Sequence, residues 1–161
     1  MDKKTSSIRE VDIHEYLPVL IEILNTGKDV SLLISGNSMS PFLVHQRDTI
    51  IISPKTEPLY KGEMVFFIRS NGQYVMHRIH HIDQNGQLFI VGDAQDWIEG
   101  PIKQEQVFGV VHKAFRKGKL IQKGDFWYDF FEKVWIRVVP LRSIIKKGYS
   151  ILHKLFTLGR A

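Results

Sequence analysis

Apolar residues Ile13, Leu17, Leu20, Ile21 and Leu24 recur at helical spacing, which predicts an amphipathic helix over residues 12–26. Asp12 with Glu15 three residues later has the pattern of a capping box, Gly27 ends the segment, and Pro18 is expected to kink the helix or delay its start. From residue 30 the pattern becomes that of strands. Apolar and β-branched runs occupy residues 30–35, 49–53, 63–68, 73–82, 87–91, 107–115 and 119–122, with hairpin signals at Asn71-Gly72 and Asn85-Gly86 and a turn at Gly118. This predicts a mainly β protein, a bent antiparallel β-domain of about six to eight strands. After residue 125 the period changes back. Trp127, Phe130, Phe131, Val134 and Val138 fall on one helical face, followed beyond Pro140 by Leu141, Ile144, Ile145, Leu152 and Leu155. Arg142, Lys146, Lys147, His153 and Lys154 take the other side of this second segment.

The chain therefore divides into a polar start and helix (1–29), a β-domain (30–123) and a basic amphipathic helical tail (124–161). Two fates are open to the tail: to pack on the β-domain with a solvated basic face, or to lie on an anionic membrane surface through residues 126–158.

Composition narrows the classes of function. The 161 residues, 43% hydrophobic and 24% charged, suit a globular chain with a real core, and the net charge of +5 favours an anionic partner. No Cys is present, so disulfides and thiolate metal sites are excluded. The first residues carry charge without an apolar stretch behind it, and no apolar run approaches the ~20 residues needed to cross a bilayer. The expectation is a cytoplasmic protein without signal peptide or transmembrane helix, peripheral on the inner membrane face if it meets a membrane at all.

Chemistry concentrates in three places. Ser38 follows a strand, in the turn Ser35-Gly36-Asn37-Ser38-Met39-Ser40-Pro41, where Gly36 and Asn37 tolerate unusual backbone angles and Pro41 stops a strand. Strand alternation places Val75, His77, Ile79 and His81 on one face and Met76, Arg78, His80 and Ile82 on the other. His77 is thereby held at an apolar wall. Asp93, Asp96 and Glu99 follow the next strand and Gly92, three carboxylates within seven residues. A serine hydroxyl needs a neighbouring base, and an imidazole is oriented by a carboxylate, so the three places make sense together. No cofactor is implied, and no cluster at ligand spacing suggests a metal.

Gly36-Asn37-Ser38-Met39-Ser40-Pro41, Asp48 with the β-branched residues after it, His77-Arg78-Ile79 and Gly92-Asp93 occur in the order of the boxes of the type I signal peptidase superfamily, which also holds the LexA-type self-cleaving repressors. The chain resembles that superfamily over roughly residues 30–112. The resemblance implies a bent antiparallel β-domain with Ser38 as nucleophile. It places His77 at the general-base position, where typical bacterial signal peptidases and LexA-type proteins have Lys, and so points to the His-containing, endoplasmic-reticulum-like branch. Asp93, which is structural or assists, is set down with Ser38 and His77 as the catalytic group, and Asp96 and Glu99 stay open as alternative acids. One residue separates Gly36 from Ser38, as in LexA-type proteins. This shifts Ser35 out of the usual oxyanion register and leaves Asn37 and the Ser38 amide as further donors.

The function this implies is a serine endopeptidase that cuts a precursor or leader peptide by a Ser-His mechanism at the membrane surface. Its substrate would be an extended peptide added beside a strand and cut after a small residue, with activity rising at an apparent pKa of ~6–7. The alternatives are an inactive peptide- or membrane-binding module of the same fold and a LexA-like self-cleaving regulator. The regulator would bind DNA, yet only about 30 residues precede the strand leading to Ser38, too few for a helix-turn-helix domain with a linker, and no nucleic-acid partner is expected.

Overall fold

The computed structural model describes residues 13–145 and 147–149, with side chains from residue 16 onward. Helix α1 (Ile13–Asn25) carries Leu17 and Leu24 into the core and runs through Pro18 without a break. Gly27, at φ 82°, closes it by donating its N–H to the Leu24 carbonyl at 2.9 Å. The capping box expected at Asp12 lies outside the described residues.

Eight antiparallel strands follow: β1 (Val30–Leu33), β2 (Thr49–Pro54), β3 (Met64–Ile68), β4 (Tyr74–Ile82), β5 (Leu88–Val91), β6 (Glu99–Ile102), β7 (Val107–Arg116) and β8 (Lys119–Gln122). Their order is β1-β2-β7-β3-β4-β5-β6, with β8 paired to β7. Pairing slips by a residue at Ile51/Ile52, Phe66/Phe67 and Ile79/His81. Such irregularities bend a sheet, and alternation along its strands sends side chains to cores on its two faces. On β3, Met64 and Phe66 enter a core shared with α1, Ile50, Ile52 and Met76, while Val65 and Phe67 enter another with Ile79, Ile90 and Val110. The mainly β antiparallel architecture agrees with the period-2 patterning.

Two features depart from the pattern. Strand β6 forms where the sequence offered only a run of acidic residues. It is a short edge strand containing Gly100 and Pro101, residues that erase a strand signal yet are tolerated at an edge. The segment after residue 125 is not one amphipathic helix. It passes from α2 (Phe126–Asp129) through a π-helical turn (Phe130–Val134) to a 3₁₀ segment (Trp135–Leu141). Widening and then tightening the helix shifts the phase of the side chains. Tyr128, Phe131, Ile136 and Val139 are buried, while Trp127 and Val134, expected on the same face as Phe131, are 51% and 49% exposed.

The Tyr128 hydroxyl donates to the Val111 carbonyl at 3.0 Å, fixing this segment to β7. Arg142, expected on a solvated basic face, is completely buried. Lys146, Leu152, His153, Lys154 and Leu155 lie outside the described residues. No helix among the described residues is long and apolar enough to cross a membrane.

Candidate active site

Strand β1 ends at Leu33, and the chain then loops through Ser38 before returning as β2. The loop is tied at its base. Ile34 donates its N–H to the Asp48 carbonyl at 2.9 Å, and Gln46 donates to the Ile34 carbonyl at 2.8 Å. The buried Asp48 carboxylate accepts from Arg47, from the Val44 N–H and from the Lys117 N–H, so the β-branched strand after it starts from a fixed point. Met39, Phe42 and Leu43 are buried, and the turn carrying them is closed by the Leu43 N–H on the Met39 carbonyl at 2.9 Å. Three apolar anchors follow Ser38 within five residues, and Ser38 itself is half-buried and lines a cavity of about 380 Å³.

His77 lines the same cavity from β4. Alternation does to this strand what the sequence suggested. His77 stands on the side of Val75 and Ile79, its ring 6.2 Å from that of Phe67, and Arg78 stands on the other. The imidazole side chain is 1% exposed and neither ring nitrogen has a hydrogen-bond partner among the described residues. Burial pushes its pKa from 6.5 down to about 4; the nearby Glu99 carboxylate opposes that fall and the Arg69 guanidinium adds to it. The direction is downward from the ~6–7 of an unperturbed imidazole, because burial disfavours the charged ring.

Gly92 joins the two halves. A Cβ placed there would lie 2.6 Å from the Ser38 carbonyl oxygen and 3.0 Å from His77 Nε2, so the Ser38 backbone and the imidazole edge meet at one point of the Gly92 backbone. The next residues fix that meeting: Ala94 donates its N–H to the Ser38 carbonyl at 2.8 Å, and the Gly92 N–H donates to Gln95 Oε1 at 2.8 Å. Only glycine permits so close an approach.

The three carboxylates go to three different partners. Asp93 is fully buried and faces Arg78 Nε with both oxygens, at 3.0 and 3.1 Å. Arg78 also donates to the Gly62 carbonyl and lies 4.8 Å over the Phe42 ring. Placing Asp93 with His77 is therefore corrected, and the reason is alternation: His77 and Arg78 are neighbours on one strand and face opposite sides, and Asp93 serves the Arg78 side. Asp96 is exposed and accepts a hydrogen bond from Ser143. Glu99 is the carboxylate that reaches His77, with Oε2 3.9 Å from Nδ1.

Glu99 is itself held in a two-pronged contact by Arg69, Nε and Nη2 each 2.5 Å from a carboxylate oxygen, and Arg69 is steadied by Gln73 Oε1 at 2.8 Å. Arg69, Gln73 and Gln95 also line the cavity, and nothing in the sequence singled them out. Arg69 and Glu99 sit 30 residues apart, a separation no local pattern reports. Of the oxyanion candidates, Ser35 lines the cavity and Asn37 is exposed on the turn. No group of three His, Asp or Glu residues among the described residues is arranged to hold a metal ion.

The Peptidase S24-like family model matches residues 4–112, which include Ser38, His77, Gly92 and Glu99. The chain belongs to the Peptidase S24-like family. Membership places it in the LexA and signal peptidase superfamily of serine peptidases, in agreement with the antiparallel β-domain. No curated protein and no solved structure matches the chain. In this S24-like protein the C-terminal segment from Phe126, including Arg142, lies beyond the matched residues.

Proposed function

We propose that this S24-like protein is a serine endopeptidase working through Ser38 and His77, of the His-containing, signal-peptidase-like kind. The observation that carries the reading is the shared seat at Gly92, where the Ser38 carbonyl and the edge of the imidazole approach the same glycine. Ser38 Oγ attacks the peptide carbonyl, forming the acyl bond; His77 takes the hydroxyl proton and returns it to the leaving amine; water then attacks the acyl-enzyme by the same route. With a pKa near 4 the imidazole is the free base throughout the neutral range. Glu99 lies on the Nδ1 side, where its negative charge favours the imidazolium as it forms. Arg69 tempers that charge. The Ser38 amide, with Asn37 or Ser35, supplies the oxyanion donors.

The substrate is an extended peptide of a precursor or leader. Among the described residues strand β1 ends the sheet order and pairs with β2 alone, which leaves its other edge for an added strand directly upstream of Ser38. Leu32, Ile34, Ile50 and Met76 give the adjoining cavity an apolar floor for a side chain of that peptide. Incubating wild-type and Ser38→Ala proteins with a peptide library tests this: cleavage by wild type alone supports it, and cleavage by both contradicts it.

A membrane location draws support from a separate patch. Phe115 and Leu120 face each other across β7 and β8, 40% and 48% exposed, beside Phe126 at 72% and Trp127 at 51%. Lys113, Lys117 and Lys119 of the same hairpin are exposed. Arg116 of the same hairpin reaches the Pro41 carbonyl at 3.3 Å, next to the Ser38 turn. Exposed apolar residues together with lysines of the same hairpin suit an anionic lipid surface, and would hold the site close to it.

A further inference from the structure

The turn at residues 92–95 touches Ser38 and His77 with its inner side; its outer side is held by residues far along the chain. Arg142 Nη1 donates to the Gly92 carbonyl at 2.8 Å and to the Gln95 carbonyl at 2.7 Å. Its Nη2 donates to the Trp135 carbonyl at 3.0 Å, and the guanidinium lies 5.1 Å over the Trp135 ring. Trp135 in turn donates its indole N–H to the Asp93 carbonyl at 2.9 Å. Arg142 is completely buried, and it donates to three backbone carbonyls, those of Gly92, Gln95 and Trp135.

We propose that Arg142 is a positioning residue for the Ser38–His77 site: by gripping the outer side of the Gly92–Gln95 turn, the C-terminal segment holds the seat on which nucleophile and base meet. The inference rests on the peptidase reading above. It assigns that segment, which lies beyond the family-matched residues, a part in catalysis.

The chemistry is specific to arginine. A planar guanidinium spans carbonyls on the turn and on Trp135 at once, whereas a lysine ammonium is a point donor on a flexible stem and cannot keep all three in that geometry. Releasing the turn frees the backbone that carries Ala94 N–H, the donor to the Ser38 carbonyl, and lets Gly92 drift from the imidazole edge. A misplacement of about 1 Å at a reacting pair costs on the order of 10²-fold in rate. The loss should fall more on the rate of reaction at Ser38 than on binding in the cavity, because neither Arg142 nor Trp135 lines it and Gln95 is the one residue of the 92–95 turn that does.

The test uses the full chain and a fluorophosphonate probe, comparing wild type, Arg142→Lys, Arg142→Ala and Trp135→Phe. For each, kinact and KI at Ser38 are measured separately, at a temperature where circular dichroism shows the protein folded. The expected result is a fall in kinact of about ten- to a hundred-fold for Arg142→Ala with KI little changed, partial recovery on adding methylguanidinium, and a smaller fall for Trp135→Phe. Arg142→Lys should not restore the wild-type rate. If Arg142→Ala does not fold, Arg142→Lys and Trp135→Phe decide the matter. Folded variants that label at the wild-type rate would overturn the role of Arg142 while leaving the peptidase reading intact. A wild-type protein that does not label at all would overturn both.

Discussion

Glu99 Oε2 stands 3.9 Å from His77 Nδ1 while the same carboxylate is gripped by Arg69. The imidazole thus sees a negative charge and, just behind it, a positive one, in a site dry enough to bring its pKa to about 4. The basicity of His77 is set by a balance among burial, Glu99 and Arg69.

That balance gives two substitutions opposite effects on the pH profile. Arg69 pushes the His77 pKa down, so Arg69→Gln should move the acid limb of activity to higher pH. Glu99 pulls the pKa up, so Glu99→Gln should move the limb to lower pH and also slow the reaction by about 10- to 100-fold through loss of the charge facing the imidazolium. Rates of Ser38 labelling from pH 3 to 8 would check both, and limbs moving in the same direction would contradict the account.

Stability should follow the same group. Because His77 is harder to protonate folded than unfolded, the unfolded chain binds the extra proton between pH 6.5 and about 4, and the folded state loses ground as pH falls through that window. The loss from this residue is roughly 3 kcal/mol when complete, and is fully avoided above the unfolded pKa. Urea unfolding of wild type and His77→Gln at several pH values measures it: the stability difference between them should shift against wild type on acidification and level off below about pH 4.

Asp93 and Glu99 should behave as different kinds of residue. Removing Asp93 leaves the buried Arg78 without its carboxylate, so Asp93→Ala should cost about 3–5 kcal/mol of stability. Glu99 is partly exposed, and Glu99→Gln should keep the melting temperature within a few degrees while slowing labelling. Thermal denaturation alongside labelling rates separates the two roles; a stable, catalytically dead Asp93→Ala protein would return Asp93 to the site.

The membrane proposal predicts flotation with phosphatidylserine-containing vesicles, weaker at high salt and absent with phosphatidylcholine alone. Paired changes at Phe126 and Trp127 to Ser should abolish flotation while leaving Ser38 labelling in solution unchanged. Equal binding to neutral vesicles would contradict a charge-led surface.

Much of the β-domain was legible because period-2 runs separated by Asn-Gly turns leave little choice of fold. The sequence pointed to Ser38 and His77 through their turn and strand, and Gly92 through its place at a strand end. The partner of the imidazole was not legible: Asp93 precedes Glu99 in the chain, but strand alternation sends it to Arg78, and the β6 edge strand that delivers Glu99 hides behind Gly100 and Pro101. Arg69 and Arg142 were missed for a related reason, since each acts on a backbone or carboxylate distant in sequence. For Arg142 the helical pattern was actively misleading, because a π turn followed by a 3₁₀ segment rotates it from the expected solvated face into the interior.

Activation of the Ser38 hydroxyl by His77 underlies the proposed peptidase function. Reacting the folded protein with a fluorophosphonate probe at neutral pH and mapping the modified residue by mass spectrometry tests it most directly. The account predicts a single adduct on Ser38 in wild type, slowed by about 10²-fold or more in a folded His77→Ala protein. An adduct elsewhere, or labelling of Ser38 at an equal rate without the imidazole, would contradict it.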